Sequence, residues 1–476
     1  MATPRMLTER PRSACPAELE NALVLLLGRP WVRSQPRDLL AYSYDGTGEK
    51  HLPHVVVFPD STDQVAACVR LARRFRVPVV PRGAATNLSG GTLPVHGGMV
   101  VNMLRMNRIL RIDPDARLAV VEAGAVNDAL QQAAALHGLF YAPDPSSMKV
   151  ATIGGSLAEN AGGPRCAKYG VTINHAMGLT LVMADGAVME LGGAREDAPG
   201  LDLLSLVVGS EGTLGIITEA VLRLTALPAA YRTMMGVFRN MPEMAAAVSA
   251  IVAARILPAG MEMIDRATLE LINQSTGGSF PTDAEAVLLA EVDGESGEIE
   301  PQAARMEQLM REHGALEVIV ARSAAERESL WAARRAGYGA LARSSPSLSS
   351  MDVTVPRDRL VAMISEVIRL AKEFDLKIFL VAHAGDGNMH PAVPFDPHDH
   401  AQRERLARMM DAVARAAVAM GGSISGEHGI GIEKLAEMSV QYSQESLDLM
   451  RSVRRVFDPT LTMNPGKNIP APAGGW

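Results

Sequence analysis

Four separated glycine-rich segments constrain the fold of this chain more than any other feature of its sequence. They cover residues 81–91, 153–156, 160–163 and 209–215. Glycine lets successive backbone N–H groups turn toward one anion, so such loops can hold a diphosphate without a strong positive charge. A single loop of this kind is usually only a tight turn, but four together predict a dinucleotide site. None has the Gly-x-Gly-x-x-Gly spacing after a strand, which argues against a Rossmann nicotinamide site.

Around these loops, short apolar runs and amphipathic stretches predict an α+β first half. A helix predicted over residues 60–76 is followed by a strand at 77–80, because apolar residues first recur at helical spacing and then run together. Further strands are predicted at residues 99–103, 118–122, 179–183 and 216–224.

After Pro228 the pattern changes to long amphipathic helices that alternate with strands. Helices are predicted at residues 245–256, 302–313, 360–374 and 402–420. Strands are predicted at residues 286–292, 316–321, 351–355 and 377–382. This alternation predicts a second domain, in which helices cover one face of an antiparallel sheet. A chain of 476 residues, 47% of them hydrophobic, is large enough for two cores.

The overall charge, the apolar runs and the cysteines exclude several classes of protein. The formal net charge of −7 gives no reason to expect a nucleic acid partner. No apolar run approaches the ~20 residues that a membrane-spanning helix needs. The three scattered cysteines, Cys15, Cys68 and Cys166, exclude a four-cysteine iron–sulfur cluster and favour a reducing compartment. We therefore expect a cytoplasmic protein, which would associate with the inner face of a membrane only through partners.

Two histidines lie in a glycine-broken segment that ends the strand predicted at residues 377–382. The segment reads His-Ala-Gly-Asp-Gly-Asn-Met-His over residues 383–390. Residues an odd number apart point to opposite faces of a straight strand, so the histidines converge only if the backbone turns at the glycines. Glu427 and His428 follow in a second glycine-flanked stretch. Two imidazoles and one carboxylate at one point predict an open site for zinc or a similar divalent ion.

Taken together, these segments resemble the FAD-binding proteins of the vanillyl-alcohol oxidase and p-cresol methylhydroxylase superfamily. Residues 143–163 are most similar to the FAD-linked subunits of bacterial glycolate oxidase and to D-lactate dehydrogenases. His-x-Gly-Asp-Gly-Asn-x-His and Gly-Glu-His-Gly-Ile-Gly, both present here, are hallmarks of the D-2-hydroxy-acid dehydrogenase branch. The resemblance runs from Tyr44 to Asn468.

The resemblance implies a two-domain α+β flavoprotein. A p-cresol methylhydroxylase-type FAD-binding domain is expected at residues 1–228, with an N-terminal segment at 1–50. An α/β substrate and metal domain, with an antiparallel sheet covered by helices, is expected at residues 229–457. A tail at residues 458–476 is expected to return to the flavin.

The same resemblance implies which residues bind FAD. They are Pro81, Arg82, Gly83, Ala84, Ala85, Thr86, Asn87, Ser89, Gly90, Pro143, Ile153, Gly154, Gly155, Ser156, Asn160, Gly162, Gly163, Gly209, Glu211, Gly212, Gly215, Ile216, Ile217 and Asn464. Relatives usually have glycine at Ala85 and Asn87; asparagine tolerates a left-handed backbone, whereas Ala85 is expected to shift the loop slightly. Relatives with covalent flavin use a histidine in the first loop, and residues 81–91 contain none. We therefore expect non-covalent FAD.

For the reacting groups, the resemblance assigns a role to each of several polar residues. One divalent metal, zinc by preference, is expected on His383, His390 and Glu427, with His428 as the catalytic base. Arg334 is expected to hold the substrate carboxylate, because it matches a family arginine, and Arg335 is expected to face solvent. Arg343 and Asn388 are further candidates for substrate binding.

These assignments predict an FAD-dependent dehydrogenase that oxidises a D-2-hydroxy acid, glycolate or D-lactate, by metal-assisted hydride transfer to the flavin. The electron acceptor, whether a quinone, a cytochrome or a flavoprotein, stays open, and so do partner subunits of a glycolate oxidase complex.

Three different functions compete with this prediction. An enzyme like D-2-hydroxyglutarate dehydrogenase is the first, and Ser350 and Met351 argue against it, because relatives of that type carry a lysine there. A non-catalytic flavoprotein subunit is the second, and the retained metal residues oppose it. A metal hydrolase is the third, and it would leave the glycine loops without a purpose.

Overall fold

The computed structural model describes residues 15–195, 199–278 and 280–472. Both ends of the predicted domain plan, residues 1–14 and 473–476, lie outside the described residues. The first half builds a four-stranded sheet in the order β1-β2-β4-β3, a five-stranded sheet in the order β5-β6-β10-β8-β9, and a short β11-β7 pair. The strands are β1 (Val32–Arg33), β2 (Val55–Val57), β3 (Val79–Arg82), β4 (Met99–Asn102), β5 (Ile109–Asp113), β6 (Leu118–Glu122), β7 (Leu139–Phe140), β8 (Ala176–Val182), β9 (Val188–Gly192), β10 (Ile216–Arg223) and β11 (Thr225–Ala226).

Helices pack against these sheets and connect them. They are α1 (Ala17–Leu27), α2 (Pro36–Leu39), α3 (Thr62–Arg74), α4 (Asn127–Ala135), α5 (Ile153–Glu159), α6 (Cys166–Tyr169) and α7 (Leu203–Val207). The predicted helix at 60–76 is α3, which begins after Ser61 because the Ser61 hydroxyl accepts the Gln64 N–H. The side chains at its predicted helical spacing, Val65, Cys68 and Val69 among them, are buried in the first core.

The second half forms one eight-stranded sheet in the order β15-β12-β14-β13-β18-β19-β16, with β17 paired to β19. Its strands are β12 (Ala230–Phe238), β13 (Gly260–Asp265), β14 (Ala286–Gly294), β15 (Glu317–Val320), β16 (Ser347–Ser350), β17 (Val353–Thr354), β18 (Phe379–His383) and β19 (Asn388–Phe395). Its helices, with those that follow the sheet, are α8 (Met241–Ala253), α9 (Arg266–Thr276), α10 (Ser296–Glu312), α11 (Ala324–Arg335), α12 (Gly337–Ala342), α13 (Leu360–Glu373), α14 (His400–Ala419), α15 (Met438–Gln441) and α16 (Gln444–Phe457). All of the strand pairs in this sheet are antiparallel, as predicted.

Helices cover both faces of this sheet, so the expectation of one covered face was wrong. Helices α8, α10, α13 and α14 bury one face in a core that includes Leu288. Helices α9, α11 and α12 bury part of the other face in a core that includes Leu289 and Trp331. Strand β14 is buried along nearly its whole length, and over residues 286–290 the side chains that point to either face of the sheet are apolar. That continuous apolar run, rather than an alternating one, is the signal of a sheet covered on both faces.

The chain passes from the first sheets to the second between Ala226 and Ala230, and the predicted boundary at residue 228 lies in that interval. The tail then returns to the first half, where Met463 forms a parallel bridge with Val79. Among the residues that the structure describes, no helix combines the length and the apolar character needed to cross a membrane.

Candidate active site

A cavity of about 530 Å³ lies between the glycine loops of the first half and the large sheet of the second. The predicted cofactor residues that line it are Pro81, Arg82, Gly83, Ala84, Ala85, Thr86, Asn87, Gly154, Gly155, Ser156, Gly162, Glu211, Gly212, Gly215, Ile216 and Ile217. The opposite wall contains the predicted metal and base residues together with Arg334 and Arg335. The glycine loops therefore face the histidine cluster across the cavity.

Eight predicted cofactor residues lie behind the lining, namely Ser89, Gly90, Pro143, Ile153, Asn160, Gly163, Gly209 and Asn464. Asn160 and Gly209 hold the loops in position by hydrogen bonds. Asn160 has a left-handed backbone (φ 53°) that ends α5, and its side-chain oxygen accepts the Ile173 N–H. The Gly209 N–H bonds to the Leu157 carbonyl at 2.9 Å, which fastens the fourth loop to α5.

Close packing explains some of the glycines without a ligand. A side-chain carbon at Gly83 would lie 2.2 Å from the Thr152 hydroxyl, and one at Gly154 would lie 2.9 Å from the Ala123 carbonyl. The loops therefore need glycine to approach each other as well as to expose N–H groups.

The loop at residues 81–91 has Ala85 and Asn87 at two positions where relatives usually have glycine. Ala85 adopts the left-handed backbone (φ 57°) that glycine usually provides, at a cost of roughly 1–2 kcal/mol. Asn87 does not need that conformation. Its amide instead donates to Asp45 at 2.8 Å and accepts from Thr92 at 2.9 Å. Of these two positions, Ala85 therefore carries the backbone strain.

The two histidines of the glycine-broken segment at residues 383–390 converge because the segment forms a β-hairpin. His383 ends β18 opposite Asn388, and His390 on β19 lies opposite Val381. The two rings are 5.0 Å apart between centroids. Gly387 (φ 82°) turns the chain where any side-chain carbon would lie 2.1 Å from the Val355 carbonyl. A tight turn at the glycines, as the sequence predicted, brings the imidazoles together.

Glu427 completes the cluster between these rings. Its Oε1 atom lies 3.1 Å from His383 Nε2 and 3.2 Å from His390 Nε2. Burial alone would lower the pKa of His383, but Glu262 and Glu427 raise it well above its usual value. Burial opposes ionisation of Glu427 too, yet His383 and His390 hold its pKa well below normal. Three ligand atoms within 4.8 Å of one another form a donor set that fits a divalent transition metal.

His428 lies beside this cluster and lines the cavity. Its ring stacks on His390, with centroids 4.9 Å apart and planes 11° from parallel. Burial, together with the charges of His390 and Lys434, lowers the pKa of His428 to about 4. Its Nδ1 is buried without a partner in the described part of the chain. The ring is therefore neutral near pH 7 and able to accept a proton.

Asp352, which the sequence analysis did not select, fixes the loop that holds Glu427 and His428. The side chain is fully buried and its Oδ2 accepts N–H groups from residues 426, 427 and 428 at 2.9–3.1 Å. The Lys434 ammonium lies 3.0 Å from the same oxygen. Although burial opposes it, Lys434 holds the pKa of Asp352 well below its usual range. The available signal was an aspartate within an apolar strand, which is costly unless paired.

Arg334 and Arg335 both reach the cavity, so the expectation of a solvent-facing Arg335 was wrong. Arg334 is 7% exposed and bonds Glu262 through Nε at 2.7 Å and Nη2 at 2.5 Å. Arg335 is half-buried and pairs with Glu328. They end one helix, α11, and its last turn abuts the cavity. The last turn of α11 therefore contributes two arginines to the lining of this cavity.

Arg343 and Asn388 are not among the residues that line the cavity. Arg343 is exposed, just after the end of α12. Asn388 is 4% exposed and packs beneath Gly426, where an added side-chain carbon would lie 2.5 Å from its oxygen. Asn388 thus supports the loop of Glu427 from below.

The tail locks the glycine loops to the loop that follows His428. The Asn464 amide donates to the carbonyls of Gly91 and Glu211 at 2.8 and 2.6 Å. The Glu211 carboxylate in turn accepts the N–H groups of Ile430 and Gly431 at 2.8 and 2.7 Å. The cavity is therefore framed by three distant parts of the chain.

Two family models match the chain. The FAD binding domain matches residues 53–192, and the C-terminal domain of FAD linked oxidases matches residues 227–468. Glycolate oxidase subunit GlcD of Escherichia coli (strain K12) is 40% identical over 434 residues, 91% of this chain and 87% of that protein. D-lactate dehydrogenase of Anaerostipes hadrus is 34% identical over 427 residues, 88% of this chain and 90% of that protein.

Solved structures agree on the fold. Substrate-bound p-cresol methylhydroxylase superposes with a TM-score of 0.78 at 14% identity, over 95% of this chain and 96% of that one. Alkyldihydroxyacetonephosphate synthase gives a TM-score of 0.75 at 19% identity, over 96% and 87%. At such identities the likeness concerns the fold alone. With the family models and relatives at 40% identity, it shows that this chain belongs to the FAD-linked oxidases, alongside GlcD-type glycolate oxidase subunits and D-lactate dehydrogenases.

Proposed function

We propose that this protein is an FAD-dependent dehydrogenase that oxidises a small D-2-hydroxy acid, glycolate or D-lactate, to the 2-oxo acid. The observation that supports it most is the shared cavity, where glycine loops form one wall and the His383, His390, Glu427 and His428 cluster forms the other. The relatives include glycolate oxidase subunits and D-lactate dehydrogenases, which agrees with this chemistry. A non-catalytic flavoprotein would have no use for the cluster.

In this proposal, FAD would accept the hydride from C2, and a divalent ion, zinc by its donor set, would ease ionisation of the substrate hydroxyl. His383, His390 and Glu427 would hold that ion. His428 accepts the hydroxyl proton, because it lines the cavity beside the cluster and its ring is neutral. Arg334 orients the substrate carboxylate through Nη1, since its Nε and Nη2 are already bonded to Glu262.

A dicarboxylate such as D-2-hydroxyglutarate is a second candidate, favoured by one observation. Arg335 lines the same cavity as Arg334 and is half-buried, so it can meet a second carboxylate. Ser350 also lines this cavity, and relatives of the hydroxyglutarate type have a lysine near that position, which favours the smaller substrates.

The test is anaerobic mixing of the purified protein with glycolate, D-lactate, L-lactate or D-2-hydroxyglutarate while flavin absorbance is recorded. Rapid bleaching by glycolate or D-lactate, and slow bleaching by L-lactate, is the expected result. Bleaching by D-2-hydroxyglutarate alone selects the second candidate, and no bleaching by any of them refutes both. Acid precipitation of the same sample should release all FAD, because residues 81–91 contain no histidine.

The electrons must leave the flavin for a further acceptor, which we propose to be a quinone, a cytochrome or a flavoprotein reached through partner subunits. The GlcD relatives are named as subunits, which supports such an assembly. Cys15, Cys68 and Cys166 are all unpaired, which supports a reducing, cytoplasmic location.

A further inference from the structure

Glu262 is a fully buried carboxylate on β13 that none of the roles above uses. In the sheet it lies directly opposite His383 on the antiparallel strand β18. Side chains at directly paired positions lie on the same face of the sheet and in reach of one another. The backbone pairing thus holds the Glu262 carboxylate beside the His383 ring before any side chain is considered.

The carboxylate bridges two groups of the site with one oxygen each. Oε1 lies 2.6 Å from His383 Nδ1. Oε2 accepts from Arg334, at 2.7 Å from Nε and 2.5 Å from Nη2. Arg334 is on α11, so this one side chain joins a helix to two strands within the wall that faces the glycine loops.

Resting on the proposed function, we propose that Glu262 is a positioning residue that sets the ring of His383 for metal binding and the guanidinium of Arg334 for substrate binding. A proton kept on Nδ1 and donated to Glu262 would leave Nε2, which faces Glu427, as the nitrogen that gives up its proton and binds a metal. The positive charge of Arg334 balances the carboxylate, which would be unfavourable to bury without a partner.

The rival explanation is that Glu262 and Arg334 form an ordinary buried ion pair. The neighbouring strand β14 provides a matched control, because Glu291 pairs with Arg327 of the same helix α11, with both contacts at 2.7 Å. Glu291 is 2% exposed and its other hydrogen-bond partners are Thr233 and Trp331 rather than a histidine. Both carboxylates are buried and both pair with an arginine of α11, although Arg327 is more exposed than Arg334, with 24% against 8% of the side chain accessible. Of the two carboxylates, Glu262 contacts the metal cluster.

The experiment compares Glu262→Gln with Glu291→Gln in the FAD-loaded protein. Zinc affinity is measured by competition with a chromophoric chelator, and stability by thermal unfolding. Loss of a carboxylate that orients a ligand histidine typically weakens metal binding 10–100-fold, so Glu262→Gln should raise the zinc Kd by roughly that factor. Glu291→Gln should lower the unfolding temperature similarly while leaving the zinc Kd at the wild-type value.

If Glu262→Gln does not fold because Arg334 is left unbalanced, Arg334→Met is compared with the double variant Glu262→Gln/Arg334→Met, which leaves neither charge unbalanced. Arg334→Met should keep the wild-type zinc Kd. The double variant should bind zinc roughly 10–100-fold more weakly, because the carboxylate that orients His383 is gone. Three results would overturn the inference. The first is equal zinc affinity with and without Glu262 in the variants compared, and the second is an equal loss of zinc affinity in Glu291→Gln. The third is a wild-type protein that binds no zinc. Failure of every 2-hydroxy acid to bleach the flavin overturns the proposed substrate instead, and leaves the zinc result standing.

Discussion

Replacing Asp352 with asparagine should disable the site without touching a residue that faces the cavity. The carboxylate accepts three consecutive backbone N–H groups of the loop that holds Glu427 and His428, and it also pairs with Lys434. Asparagine keeps the size and one acceptor oxygen but leaves the Lys434 ammonium, 7% exposed, without its counter-charge. Breaking a buried ion pair by removing one partner typically costs 3–5 kcal/mol, so we expect a stability loss of about that size.

The loop should lose its fixed position as well, so zinc affinity and the rate of flavin reduction should fall together. Urea unfolding, zinc titration and rapid-mixing measurement of flavin bleaching on the same preparation give the three quantities. Glu291→Gln, which breaks a buried ion pair outside the main cavity, controls for stability alone. If Asp352→Asn lowers stability but bleaches and binds zinc like wild type, the loop does not depend on Asp352 and the reasoning is wrong.

The site and its surroundings support four more predictions. His428→Asn should slow flavin reduction by roughly 10²–10⁴-fold with FAD and zinc contents unchanged; wild-type bleaching would exclude it as the base. Chelation should abolish activity, and zinc or manganese should restore it; full turnover by metal-free protein would contradict the metal site. Arg334→Ala should lower kcat/KM at least 10-fold, because a hydrogen bond to a charged group contributes about 1.5–3 kcal/mol, and Arg335→Ala should lower it less. Equal losses in the two variants would mean that Arg334 is not the residue that holds the substrate carboxylate. Burial, with Asp45 and Glu49 nearby, raises the pKa of Glu433 to about 7. The folded state therefore binds more protons than the unfolded one between about pH 4.5 and 7, and stability falls as pH rises through that window. Glu433→Gln should raise the unfolding temperature more at pH 8 than at pH 5, and equal shifts would contradict the raised pKa.

Local patterns in the sequence were sufficient for much of the fold. The helix predicted at 60–76 and the strand predicted at 286–292 were confirmed as α3 and β14. These elements were predictable because apolar spacing and helix capping depend on residues that are close together in the sequence. Strands β12 and β13 were not predicted. Their residues alternate weakly between polar and apolar, and pairing across the sheet, with β14 for both, decides their structure.

The same distinction separates the parts of the site that could be predicted from those that could not. His383 and His390 are joined by a short glycine-broken turn, so the sequence of residues 383–390 was sufficient to predict that the two side chains lie close together. Glu262 contacts His383, which is 121 residues away in the sequence, and the residues next to Glu262 do not indicate that partner. The sequence offered only the fact that a lone glutamate among apolar residues needs a counter-charge or a donor.

The anchoring of the tail has a consequence for how the protein folds. Asn464 ties Gly91 to Glu211, from 373 and 253 residues away in the sequence, and Met463 adds to the sheet at Val79. Contacts of such large separation are slow to form, because the entropy of closing a long loop is lost before the contact is gained. We therefore expect the flavin pocket to close late in folding. Until it closes, binding of free FAD competes with aggregation of an open, partly folded chain.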